Sequence, residues 1–128
     1  SSKPAESSKP AESSKPAESS KPAEVKISKS KYPETAKHIE EAQEAGYPKE
    51  VTIDRSGSKQ RRAEALKGTK TQPGTDRDEY PPAMFEEGGA RASIKNISPQ
   101  DNRGAGSSMR WQLSTVPDNT AVRIIITE

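Results

Sequence analysis

Apolar residues are sparse along this chain, and their spacing carries most of the information about its fold. After Tyr32-Pro33-Glu34-Thr35, the residues Ala36, Ile39, Ala42 and Ala45 recur at helical intervals. Pro33 near the first turn and Glu34 at the positive end of the helix dipole mark a start, and Gly46 marks a stop. His38 lies beside Ile39 on this helix and reads as a surface or edge residue rather than a catalyst. Val51-Thr52-Ile53 predicts a short strand. Ser58 through Lys67 predicts a second helix with Ala63 and Leu66 inward and Lys59, Arg61 and Arg62 toward solvent, closed by Gly68. Residues 69–75 read as a loop turning at Pro73-Gly74.

Beyond that loop, Asp76-Arg77-Asp78-Glu79 is expected at a strand end. Ala83-Met84-Phe85 continues the apolar pattern and Gly88-Gly89 turns the chain. Ser93-Ile94-Lys95-Asn96-Ile97 alternates as a half-buried strand does. Ser98-Pro99-Gln100-Asp101 opens a further helix, expected to break at Gly104 and Gly106 and to resume through Met109, Trp111 and Leu113. Pro117-Asp118-Asn119 turns into a strand from Ala121 to Thr127. Its Ile124-Ile125-Ile126 run implies a central position covered on both faces. Mixed helices and strands in this order predict a small α+β domain.

Composition alters that picture at one end. Hydrophobic residues make up 27% and charged residues 31%, values that alone would suggest disorder. The average is distorted by residues 1–24, four copies of Ser-Ser-Lys-Pro-Ala-Glu with no side chain larger than Ala to bury. These repeats predict a solvated, extended spacer, and residues 25–31 a basic transition after it. The expected division is therefore a disordered tail and linker over 1–31 and one folded domain over 32–128. Lys and Glu balance within the repeats, so the formal charge of +2 belongs to the remainder. That excess is too mild to identify a nucleic-acid binder.

No cysteine is present, which excludes disulfides, thiolate metal sites and Cys nucleophiles. A single histidine, His38, leaves no room for a His-rich zinc site. No stretch approaches a membrane span, and no signal peptide is seen.

The candidate chemistry lies in two islands, Asp76-Arg77-Asp78-Glu79-Tyr80-Pro81-Pro82 and Asp101-Asn102-Arg103-Gly104-Ala105-Gly106-Ser107. Asp, Glu and Asn offer hard oxygen ligands or a proton acceptor, Arg matches a phosphate with a planar fork, and Gly lets backbone approach. Each island also has a plain structural use, as a charged turn or as a helix cap. A glycosidase-like carboxylate pair is disfavoured, because Asp78 and Glu79 on a strand point to opposite faces.

These stretches, together with Tyr32 through Ile39, Thr52-Ile53-Asp54-Arg55-Ser56-Gly57 and Glu87-Gly88-Gly89, resemble the bacterial DNA-entry and sporulation-associated extracellular deoxyribonucleases of the NucA/NucB type. The resemblance covers residues 32–128 in family order. It implies a small secreted monomeric endonuclease on a ββα-metal finger, cutting extracellular single- or double-stranded DNA with Mg²⁺ or Mn²⁺ and little sequence preference. Most members of the wider superfamily use a histidine base where this chain has the Asp76–Glu79 run. Either Asp78 or Glu79 must then take the proton, and Asp78, the shorter, is favoured. The same resemblance makes Asn102 the metal ligand and sets Gln112 to hold a metal-bound water near the substrate. Arg103, helped by Arg77, would neutralise charge on the phosphate. Some relatives carry cysteines at the positions of Val51 and Phe85, where apolar packing replaces any bridge. Rival readings are a non-catalytic DNA-binding module and a nuclease that prefers RNA.

Overall fold

A computed structural model of the chain describes residues 22–128. The expectation of a disordered repeat tail falls on residues 1–21, outside the described residues. Five strands and three α-helices follow: β1 Ala23–Ser28, α1 Pro33–Glu44, β2 Glu50–Thr52, α2 Ser58–Leu66, β3 Asp76–Tyr80, β4 Ser93–Ile97, α3 Pro99–Gln112 and β5 Ala121–Thr127. The predicted α+β class is the observed one, and β3, β4 and α3 run in the expected ββα order.

Strands β1, β5 and β2 form one sheet in that spatial order, β5 parallel to β1 and antiparallel to β2. Strands β3 and β4 form a separate antiparallel pair. Helix α1 packs against β1 and β5 on one side, against β3 and β4 on the other, and also against α3. The core joins Val25, Ile27, Val51, Ile53, Phe85, Val122 and Ile124 to Ala36, Ile39, Ala42, Ala105, Met109 and Leu113. Each fully buried Val, Ile, Leu or Phe side chain among these contributes about 1.5–3 kcal/mol.

Several expectations need correction. The basic transition is not a linker, because Val25 and Ile27 are fully buried in β1, paired in register with Ile124 and Ile126. The folded domain therefore begins inside the last repeat. Strand β5 is central as expected, but Val122 and Ile124 are buried while Ala121 and Arg123 are exposed. One face of this sheet meets the helices and the other meets solvent, where Arg123 pairs with Glu50 across the strands at 3.0 Å.

Helix α3 is unbroken. Gly104 allows a close approach to Tyr32, since a Cβ there would lie 2.7 Å from the Tyr32 ring. A helical glycine costs about 1 kcal/mol, and the burial of Ala105, Met109 and Leu113 outweighs it. In α2 the buried residue is Ala65 and not Ala63. Arg61 turns inward, bonding Asp54 Oδ2 at 3.0 Å and the Ala83 carbonyl at 2.8 Å.

The largest correction concerns His38, which is 3% exposed. A helix lying between a sheet and a hairpin must be buried on two sides, so a position at the edge of its apolar stripe is covered by the second layer.

Candidate active site

The register of the hairpin sorts the acidic run. Residues opposite one another in an antiparallel pair share a face. Asp76 with Ile97, Asp78 with Lys95, and Tyr80 with Ser93 therefore face one way, while Arg77 with Asn96 and Glu79 with Ile94 face the other. The first face meets α1 and α3. Tyr80 donates its hydroxyl hydrogen to the Pro48 carbonyl at 2.7 Å and accepts from Gln43 at 2.9 Å. Lys95 reaches Glu41 at 2.9 Å, and Asp78 meets His38 at 2.7 Å.

Asp76 is the hub on this face. It accepts from Arg103 Nε at 2.9 Å and Nη2 at 3.1 Å, a two-pronged pair, and from Asn102 Nδ2 at 3.1 Å. These donors, Arg103 first, hold the Asp76 carboxyl below its ordinary value. The pair also fixes the Asn102 amide, turning Nδ2 to Asp76 and leaving Oδ1 unbonded among the described residues.

Helices α1 and α3 are locked end to end by reciprocal caps. Helix α1 has no side-chain cap of its own. Asp101 of α3 supplies one, accepting from the Glu34 and Thr35 backbone nitrogens at 2.9 Å each and from the Thr35 hydroxyl at 2.7 Å. Glu34 in return accepts from the Ser98 nitrogen at the start of α3, at 2.9 Å. His38, one turn along α1, and Asn102, next to Asp101, are thereby held in fixed relation.

A cleft of about 570 Å³ runs along β3, whose outer edge has no strand partner among the described residues. Its charged lining is Asp76, Asp78 and Glu79 with Arg62, Arg77, Arg103 and Arg110. Four arginines against three carboxylates make it mildly cationic, suited to a phosphate chain beside an acidic centre. Arg77 donates to the Thr69 hydroxyl at 3.2 Å, and Arg62 makes no hydrogen bond or ion pair among the described residues. Glu79 is buried, and its Oε1 has no hydrogen-bond partner among the described residues. Burial raises its carboxyl above the ordinary glutamate value, and this outweighs the opposing pull of Arg62 and Arg77.

The family model for deoxyribonuclease NucA/NucB matches residues 25–125. The chain belongs to that family. It is 50% identical over 96 residues to the DNA-entry nuclease of Bacillus subtilis (strain 168), a match that covers 75% of this chain. The chain spans about two thirds (65%) of the length of that curated relative.

Within this NucA/NucB chain, Asp78, Glu79, Arg77, Asn102 and Arg103 all line the one cleft, as the two islands suggested. Gln112 does not. Its Oε1 accepts from the Lys26 nitrogen at 2.8 Å and its Nε2 donates to the Lys26 carbonyl at 2.8 Å and to Ser108 at 3.0 Å. Through these bonds Gln112 ties the end of α3 to the backbone of β1. Val51 and Phe85 are both buried in the core, the apolar packing expected at those positions.

Two site residues were missed. Asp76 was legible, because strand alternation puts it on the face of Asp78. His38 was also marked, since Thr35, His38, Ile39 and Ala42 have the one-face helical spacing and all are buried.

The donor set fits a hard divalent cation. Among the described residues no group of three or more His, Cys, Asp or Glu could hold a metal, so a cage of side chains is absent. What the cleft offers on the Asp76 face is an amide oxygen, Asn102 Oδ1, unbonded among the described residues, while the orphaned Oε1 of Glu79 lies on the opposite strand face. Mg²⁺ keeps several waters and is bound through one or two protein oxygens in this manner.

Proposed function

We propose that the chain is a metal-dependent endonuclease that hydrolyses DNA phosphodiester bonds with little sequence preference, using a carboxylate as its base. The observation that carries this reading is the common cleft in which Asp76 pins Asn102 and Arg103 beside Asp78. Asn102 Oδ1 would hold Mg²⁺ or Mn²⁺, which when bound neutralises charge on the scissile phosphate and its leaving oxygen. Asp78 accepts the proton of the attacking water through the oxygen that His38 leaves free. Asp78 is two residues from Asp76 on one strand face, about 7 Å along the strand, and both line the cleft with Asn102.

Arg103 keeps one guanidinium nitrogen clear of its pair with Asp76 and is 73% exposed, so it can stabilise the negative charge that builds on the phosphate. Arg77 and Arg62 supply phosphate contacts along the cleft. In this reading the enzyme acts as a monomer on extracellular DNA, single or double stranded.

Glu79 is the competing base. Its raised carboxyl makes a stronger proton acceptor, but it faces away from Asn102. Plasmid nicking by Asp78→Asn and Glu79→Gln separates the two. Loss of about 10²–10⁴ in kcat is expected for the base, together with complete loss in chelator. The greater loss in Glu79→Gln would transfer the role. Full activity in both variants, or nicking that persists in chelator, would overturn the reading. DNA bound but never cut in the presence of Mg²⁺ would favour a binding module instead.

A further inference from the structure

We infer that His38 is a positioning residue that holds the Asp78 carboxylate in its working rotamer, a role that rests on Asp78 being the base. The imidazole is 3% exposed and bridges two strands, with Nδ1 2.7 Å from Asp78 Oδ2 and Nε2 2.9 Å from Ser93 Oγ. An ionised carboxylate only accepts hydrogen bonds, so the hydrogen on this contact belongs to Nδ1. Ser93 can donate to Nε2 when the ring is neutral, or accept from it when the ring is charged. In both forms Nδ1–H points at Asp78. Ser93 therefore fixes the ring, and the ring fixes one oxygen of Asp78 and leaves the other to the cleft.

The arrangement is rigid because each part is anchored separately. Asp101 caps α1 one turn before His38. Ser93 and Asp78 lie on neighbouring strands whose register brings them to the same face. An unheld aspartate samples several rotamers, and only some aim a lone pair at the attacking water. Holding it in one lowers the reorganisation needed in the transition state. The histidine here orients an acidic base and does not itself take the substrate proton.

The test compares His38→Leu, His38→Asn and Ser93→Ala with the parent, measuring kcat and KM for a DNA oligonucleotide with Mg²⁺ and thermal melts for folding. Asparagine carries an N–H close to the position of Nδ1 and can restore the contact with Asp78. His38→Leu is expected to lose about 10–100-fold in kcat with little change in KM, His38→Asn to recover most of it, and Ser93→Ala to lose a few-fold. A purely packing role would make His38→Asn, the more polar variant in a buried site, no better than His38→Leu. That order, or a parental kcat in folded His38→Leu, overturns the inference. Should His38→Leu not fold, His38→Asn and Ser93→Ala decide: parental kcat in Ser93→Ala with none in His38→Asn overturns it equally. Asp78→Asn at full activity would instead overturn the assignment of the base.

Discussion

The β1-β5-β2 sheet and the β3-β4 hairpin enclose α1 from opposite sides, yet they are held by different forces. The sheet presents Val25, Ile27, Val122 and Ile124 inward and leaves alternate residues to solvent, so burial of apolar surface holds it. The hairpin presents Asp76, Asp78 and Tyr80 inward, each one hydrogen-bonded to α1, α3 or the loop after α1. Apolar packing is non-directional and tolerates substitution by size. A hydrogen-bonded face fixes angles, and the proposed site, which would aim a carboxylate and an amide at one phosphate, needs that directional hold. The sheet is the scaffold, and the hairpin with α3 is the instrument mounted on it.

The widest separation between the two should come from Ile27→Ala. Truncating this fully buried residue of β1 is expected to cost about 2–5 kcal/mol in urea unfolding while the folded fraction keeps its kcat. A change under about 0.5 kcal/mol, the range of surface substitutions, would mean that β1 is not part of the folded core.

Asp101→Ala attacks the joint between the regions and comes next in size. Loss of a buried cap to two backbone nitrogens and a hydroxyl is expected to cost about 2–3 kcal/mol. Because it also frees α1 from α3, kcat should fall in the fraction that stays folded. Stability loss with kcat intact would show that the cap does not set the site geometry.

The smallest effect has the opposite sign. The Glu79 carboxyl is raised in the folded state by burial, so the native protein binds its proton more tightly than the unfolded chain does. Stability must then decline as pH rises from the ordinary glutamate value through the raised one, and stay reduced above it. Glu79→Gln removes that decline. Melting curves across pH should show the variant more stable than the parent near neutrality, with the gap closing in acid. A gap that is absent or widens in acid would contradict the burial of an unpaired carboxylate.

Much of the architecture was written locally. Pro33 and Gly46 bracket α1, and Gly46 adopts the left-handed conformation (φ 107°) that favours glycine. Ser98 caps α3, and the isoleucine run marks β5. Val25-Lys26-Ile27 was read as a basic stretch because two apolar residues among charges give too weak a period. Only pairing along β5 makes it a strand.

What the sequence alone determined is the set of chemical groups: carboxylates, an amide and arginines in two islands, with no thiol and one imidazole. Their assembly was decided by tertiary structure. Strand register chose which carboxylate shares a face with Asn102, the second layer over α1 buried His38 against Asp78, and β1 claimed Gln112. Those outcomes depend on which surfaces meet, and contacts between residues 40 to 86 positions apart leave almost no mark on local spacing.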